Sequence, residues 1–430
     1  MLAYSRAASK VISVALAVGS IASARTGIID MNGDEYADIP LAKRASGWSC
    51  LPTMLGGPSS MAYSCIPLAS GSQYSISEFL SWGNHLGTAF FPVRNSYPNT
   101  TSLAWAGGLN WQTIPVASVT NSSIKVENNN WDGNKSWNGT AKKIAGLFNG
   151  DQNTDILYVK LTDESATMAF GSSVARFTSA QLNLPAEMAA DLRRSGAKWF
   201  VGDVTGDKLD DIVIVDSTVN MGYVGVAISQ GGGNFSYRRS DAGQVQTNLG
   251  GTSVKNLCFF GDFDGDGKKD LAVMDSRDNS TMPIAYSNGE GGFTVVPSQV
   301  GAMNYYASLT GARSIVGDFN GDGVEDIALA GGAGWRSIPV AFGAGNRAFT
   351  VTNNAISGMT DLFGDVYGTL VVGDFNKDGK SDIAVVAATG SSIFVASSLG
   401  GGNFSHSAYN VPEFQTYAHG YGVFPVIEVR

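Results

Sequence analysis

Histidine is nearly missing from this chain: there are three in 430 residues, His85, His406 and His419. No HExxH, GxSxG or phosphate-cradling glycine motif accompanies them, so the common metal-hydrolase, serine-hydrolase and nucleotide signatures are absent. Charge is sparse as well. Only 15% of residues are Asp, Glu, Lys or Arg, and 28 basic against 37 acidic side chains give a formal net charge of −9. With no basic stripe, nucleic acid is excluded as a partner. After the first two dozen residues, no apolar run approaches the roughly 18 residues of a membrane span. A hydrophobic fraction of 43% is ample for a core and argues against disorder.

The first residues read as an export signal. Arg6 and Lys10 form a basic start, Val11 to Ile21 a short apolar run, and Ala22-Ser23-Ala24 a small-residue cleavage site. Residues 1–24 are therefore expected to be removed and residues 25–430 to form the secreted, extracellular protein. Three cysteines allow one bridge and one spare thiol. Cys50 and Cys65 enclose a short loop and are the natural pair, while Cys258, in the apolar run "NLCFFG", reads as packing.

What the chain has in abundance is glycine, 54 residues of it, much of it in a recurring acidic stretch. Copies begin "GLFNGDQNTD" at Gly146, "GDVTGDKLDD" at Gly202, "GDFDGDGKKD" at Gly261, "GDFNGDGVED" at Gly317 and "GDFNKDGKSD" at Gly373, in steps of 56, 59, 56 and 56 residues. An earlier copy, "IDMNGDEYAD", starts at Ile29, and the gap before Gly146 leaves room for one more unit near Gly87. "WQTIPVAS" (111–118) and "WRSIPVAF" (335–342) are near copies, which supports that hidden unit. Each unit reads as four short strands, illustrated by "RSIVG" (313–317), "DIALA" (326–330), "SIPVAFG" (337–343) and "AFTVTN" (348–353). Seven such units predict an all-β fold, a seven-bladed β-propeller. The first unit lacks a leading strand, and "GVFPVIEVR" (422–430) is a strand without a unit. The two are expected to close one blade together.

The acidic loops place oxygen side chains at relative positions 1, 3, 5 and 9. These are Asp30, Asn32, Asp34 and Asp38; Asp203, Thr205, Asp207 and Asp211; Asp262, Asp264, Asp266 and Asp270; Asp318, Asn320, Asp322 and Asp326; and Asp374, Asn376, Asp378 and Asp382. Oxygen ligands from one tight loop suit Ca²⁺, with glycines permitting the turn. Lys268, at position 7, contributes only its carbonyl. The bidentate Glu of an EF-hand is missing, and Mg²⁺ fits less well because it keeps its waters. Five such ions would bring the formal charge from −9 to about +1 and relieve carboxylate crowding. Their role would be structural. The copy at Gly146 begins with Leu147, keeping Asn149, Asp151 and Asp155, and is expected to bind weakly or not at all.

These loops and this period resemble FG-GAP (VCBS) repeats, the integrin α-subunit type of propeller, also found in secreted bacterial and fungal proteins. The resemblance covers nearly all of residues 25–430. It implies calcium between the first two strands of a blade, on the face opposite the usual ligand face. The unit near Gly87 departs from the pattern wholly and the unit at Gly146 partly.

On that other face the loops are rich in Trp, Tyr and Asn. Trp131, Trp137, Tyr305, Tyr306, Trp335, His419 and Tyr421 are candidate ligand contacts, since flat rings beside amides suit sugar rings. Trp111 and Trp335 also read as packing between blades. Glu127, Asp132, Glu187 and Asp191 are the carboxylates an enzyme could use, but surface solvation explains them as loop residues. "PAEMAADLRR" (185–194) reads as a short surface helix on the rim. The sequons Asn99, Asn121, Asn134, Asn138, Asn234, Asn279 and Asn403 permit glycosylation, Asn234 and Asn403 lying in repeat turns. The reading is a lectin-like module for carbohydrate, or else for an extracellular protein. A lyase, dehydratase or hydrolase on a propeller is the alternative.

Overall fold

The computed structural model describes residues 29–43, 47–85, 88–94, 100–107, 111–120, 123–130, 141–162, 165–174, 176–216, 221–242, 245, 256–275, 281–301, 303–331, 334–359, 368–386, 392–418 and 423–425. They form seven four-stranded antiparallel sheets, one per sequence unit. Blade 2, the unit without an acidic signature, consists of Ala89–Arg94, Thr101–Ala106, Thr113–Thr120 and Ser123–Asn130. In blade 6 the third strand is shorter than its sequence suggests. It spans Val340–Gly343, and Ser337 makes only an isolated bridge to Ala355.

First strands of neighbouring blades touch one another, so they line the axis and fourth strands face outward. Burial follows from that. The second strands Asp155–Val159, Asp326–Ala330 and Asp382–Val386 are buried at every residue because both faces meet another blade. The fourth strand Phe235–Ser240 instead alternates, with Ser236, Arg238 and Arg239 exposed. Val423–Pro425 supplies the inner strand of blade 1, pairing Leu41 with Pro425 and Lys43 with Val423. The segment from the C-terminal end thus completes the first blade, as its sequence implied. Residues 426–430 lie outside the described set, as does the proposed cleavage site.

A closed ring of backbone hydrogen bonds joins the blades. The N–H groups of Ala37, Thr101, Thr154, Asp210, Lys269, Glu325 and Ser381 donate to the carbonyls of Asp374, Asp30, Arg94, Leu147, Asp203, Asp262 and Asp318, at 2.7 to 3.1 Å. Each bond ties one blade's first connection to that of the blade before it. This proximity explains the glycine that opens the acidic loops. A Cβ on Gly317 would stand 2.8 Å from Ser381 Cβ, and one on Gly373 2.7 Å from Ala37 Cβ.

Among the described residues, the short α-helices Ile76–Ser81, Ala186–Arg193, Met303–Ser308 and Pro412–Ala418 lie in the linkers leaving blades 1, 3, 5 and 7. The first is started by a capping box between Ser75 and Glu78. They seal the sheet ends with Phe79 and Leu80, Met188 and Leu192, Met303 and Ala307, and Phe414, all buried. Among the described residues no helix is long and apolar enough to cross a membrane. Cys50 and Cys65 are disulfide-bonded across neighbouring strands of blade 1, with Cα atoms 5.4 Å apart. Cys258 is unbridged and half-buried, and burial pushes its thiol up to about 11, which keeps it protonated at neutral pH.

Candidate metal loops and the opposite face

Each acidic loop is wound around its first aspartate. In blade 6, Asp318 Oδ1 accepts the N–H groups of Asn320 (3.3 Å), Gly321 (2.6 Å) and Asp322 (3.2 Å), and Oδ2 that of Gly323 (2.8 Å). Asn320 and Asp322 each accept the N–H two residues further on, which draws alternate side chains inward. Asp30, Asp203, Asp262 and Asp374 hold their loops in the same way. The winding needs positive φ at the fourth and sixth positions, 79° at Gly321 and 86° at Gly323. Glu35, Gln152, Lys208 and Lys377 take such values without being glycine, at a cost of about 1 kcal/mol each.

The ninth aspartate stitches the loop to the third strand. Asp326 Oδ2 accepts from Phe319 N–H at 2.8 Å, and Oδ1 from Gly343 N–H at 3.0 Å. Asp38, Asp155, Asp211, Asp270 and Asp382 repeat both bonds in their own blades. Burial pushes the carboxyls of Asp38, Asp155, Asp270, Asp326 and Asp382 up to about 8, and that of Asp211 to about 7, despite these donors. Burial likewise raises Asp30, Asp262 and Asp374. A carboxyl raised in this way is neutralised by a proton unless a positive charge stands beside it.

In blade 5, Asp262, Asp264 and Asp270 bring one oxygen each within 4.8 Å of one another. Asp266 turns aside to Lys268 Nζ at 2.5 Å. In blades 1, 6 and 7 the third and fifth positions bond to each other instead, Asn32, Asn320 and Asn376 Nδ2 donating to Asp34, Asp322 and Asp378. The donor set is oxygen-only and carboxylate-rich, which fits a hard divalent cation. In blade 3, Leu147 removes the central carboxylate, yet the loop stays folded. Asn149 and Asp151 keep their turns, and Leu147 N–H turns to Asp210 Oδ2 at 2.7 Å.

Second-to-third strand connections and blade-to-blade linkers share the opposite face. Of the ring residues expected there, Trp131, Trp137, His419 and Tyr421 lie outside the described residues. Tyr305 and Tyr306 sit on helix Met303–Ser308, Tyr305 at 60% exposure. Trp335 is buried, at 8% exposure, with its ring edge-on to Tyr306 at 5.4 Å. Trp111, its counterpart in blade 2, is half-buried and edge-on to the exposed His85 at 5.3 Å. Blades 2 and 6 therefore repeat one arrangement, in which a tryptophan ahead of the third strand packs on a ring from the entering linker. Sequence reasoning paired the tryptophans but overlooked His85, and also Tyr74 and Trp82, which meet at 5.2 Å on the same linker. The pairing itself was the usable signal, since the linker preceding "WRSIPV" was already singled out.

The carboxylates of an imagined acid–base pair look different in place. Asp191 is not a solvated loop residue but fully buried on helix Ala186–Arg193. Its oxygens accept from Tyr223 (2.9 Å), Tyr237 (2.7 Å), Arg194 (3.1 Å) and Arg239 (3.1 Å). Burial alone would raise its carboxyl, but these four donors together hold it below the usual range. With its lone pairs taken, it pins the helix to blade 4. Glu127 lies in strand Ser123–Asn130, paired with Lys125 at 2.8 Å, not in a loop. Glu187 is exposed and paired with Arg239 at 3.1 Å, and Asp132 lies outside the described residues.

The family profile of an FG-GAP-like repeat matches residues 203–273, 262–329 and 318–385. No curated protein matches the chain. Among solved structures, a lectin of Agrocybe aegerita that recognises non-reducing terminal N-acetylglucosamine is 15% identical with a TM-score of 0.68, covering 92% of this chain and 96% of its own. A functionally unknown protein of Desulfotomaculum acetoxidans is 11% identical with a TM-score of 0.40, covering 87% and 99%. A mutant of AofleA from Arthrobotrys oligospora is 11% identical with a TM-score of 0.36, covering 77% and 89%. Repeat profile, blade count and topology agree: residues 203–385 carry FG-GAP-like repeats, and the chain folds as a seven-bladed β-propeller.

Proposed function

We propose that this is a secreted, calcium-stabilised propeller that binds carbohydrate on the face opposite its acidic loops. The observation that carries the reading is the repeated aromatic seat of blades 2 and 6, His85 on Trp111 and Tyr306 on Trp335, with Tyr305 open to solvent beside it. Such rings offer flat apolar faces to the C–H side of a sugar. The Agrocybe aegerita lectin has the same scaffold and recognises terminal N-acetylglucosamine, which makes that sugar the first to test. Calcium would be held by the position 1, 3, 5 and 9 side chains of blades 1, 4, 5, 6 and 7, supplying the positive charge their buried carboxylates need. The disulfide and the signal-like residues 1–24 support export.

The test is a glycan array on the protein lacking residues 1–24, run in calcium and in EDTA, with a melting curve for each condition. Binding to a defined sugar that Tyr305→Ala abolishes, at unchanged melting temperature, supports the reading. Silence across the array with the fold intact sinks it and favours a protein partner.

A further inference from the structure

Arg347 stands where blades 4, 5 and 7 have glycine. In the turn between third and fourth strands, the residue two before the recurrent Phe is Gly233, Gly291 or Gly402 in blades 4, 5 and 7, with φ of 82°, 73° and 79°; in blade 6 it is Arg347, with φ of 65°. A side chain at these glycines would crowd the preceding blade, a Cβ on Gly291 standing 2.3 Å from Ile228 and one on Gly233 2.9 Å from Phe170. Blade 6 accommodates the side chain because the preceding blade offers Tyr286, over whose ring the guanidinium lies at 4.5 Å. A non-glycine residue kept in the left-handed region persists where its surroundings hold it there.

From that position Arg347 Nε donates to Asp264 Oδ2 at 2.9 Å. Asp264 is one of the three carboxylates that converge in blade 5, and Lys268 holds Asp266. This loop, with an aspartate at each of positions 1, 3, 5 and 9, is therefore supplied with two cations, Arg347 and Lys268. In blades 4 and 6, by contrast, Asp203, Asp207, Asp211, Asp318, Asp322 and Asp326 form no ion pair with any described residue.

Building on the calcium reading above, we propose that Arg347 is a built-in competitor for the cation of the blade 5 loop. A calcium ion needs an Asp264 oxygen at roughly 2.3–2.6 Å, and the guanidinium already occupies that carboxylate. Ion entry displaces Arg347, and chelation lets it return. The loop with aspartate at all four ligand positions is then the weakest of the five, the reverse of what counting carboxylate ligands implies.

Calcium titration by calorimetry, on chelator-stripped wild type, Arg347→Gln and Arg347→Gly, tests this. The Gly variant restores the residue that blades 4, 5 and 7 carry. One site should tighten on the order of tenfold in both variants, the ratio equivalent to about 1.4 kcal/mol, while the others stay unchanged. Asp264→Asn should remove that site in either background. In EDTA both Arg347 variants should expose an uncompensated Asp264 and lose thermal stability that calcium restores. Unchanged or weakened binding in the variants overturns the proposal, because Arg347 would then be positioning Asp264 for the metal. If elemental analysis finds no bound calcium in wild type or variants, the calcium reading has failed and this inference falls with it.

Discussion

Replacing Asp155 separates the scaffold role of an acidic loop from any metal role. Asp155 occupies the ninth position of the blade 3 loop, whose first position is Leu147, so the central ligand is missing. It is fully buried, and its two oxygens accept Phe148 N–H and Gly171 N–H, both at 3.0 Å. Asp155→Ala leaves both buried N–H groups without an acceptor, at about 1–3 kcal/mol each, or roughly 2–6 kcal/mol together. Unfolding entropy scales with length, so a chain of 430 residues changes by about 0.9 kcal/mol/K if it melts cooperatively. The melting temperature should then fall by about 2–7 °C in a calorimetric scan. It should fall equally in excess calcium and in EDTA. Asp326→Ala breaks the same two bonds in a loop with a full donor set. It should match Asp155→Ala in EDTA and lose more in calcium. A deficit for Asp155→Ala below 1 °C, or one that vanishes on chelation, would refute the assignment of this aspartate to the scaffold.

Stability in EDTA should depend on pH. The ninth aspartates are raised by burial to about 7–8, so their contribution is complete below the unfolded carboxyl range near 4 and is lost as pH rises toward 8. The metal-free protein should thus melt higher at pH 5 than at pH 8, and calcium should stabilise it more at pH 8; an equal calcium effect at both would contradict this. Lys208→Gly relieves a residue at φ 70° while keeping its N–H bond to Asp203. A gain of roughly 0.5–1 kcal/mol is expected in denaturant titration, and a loss would show that the lysine side chain itself stabilises the loop. Tyr305→Ala should leave stability within about 0.5 kcal/mol, whereas Trp335→Ala should cost about 3–5 kcal/mol; similar effects in thermal melts would undo the division into exposed ring and packed seat.

The architecture was legible because the acidic loop is a local object. Its winding needs positive φ at two fixed positions and a glycine where the next blade crowds in, and those needs recur as letters at fixed spacing. Blade 2, lacking the loop, was still recoverable from "WQTIPVAS", and the closing strand from a segment left without a unit. What was illegible is contact between distant residues. The interblade ring uses main-chain groups at positions as unlike as Ala37, Lys269 and Ser381, so it leaves no residue signature. Asp191 looked solvated within "PAEMAADLRR" because its donors Tyr223, Tyr237 and Arg239 lie more than thirty residues away. Arg347 reaches Asp264 across 83 residues.

The two faces of the ring are under different constraints, and that difference bears on where recognition can evolve. On the acidic side nearly every group is committed: the first aspartate to its own loop, the ninth to the third strand, the eighth N–H to the neighbouring blade. A substitution there perturbs two blades at once. Among the described residues, the linkers on the other side make no such ring. Where described, they hold helices after blades 1, 3, 5 and 7, anchored by a few buried residues each. Asp191, Asn304 and Gln415 illustrate the economy: one buried polar side chain per helix fixes it to a strand or its approach, through Tyr223, Thr281 and Ser392 respectively. A rigid acidic ring beneath individually anchored linkers lets ring-bearing positions such as His85 and Tyr305 vary without loosening the blades. Loops that carry recognition on a fixed scaffold have that freedom.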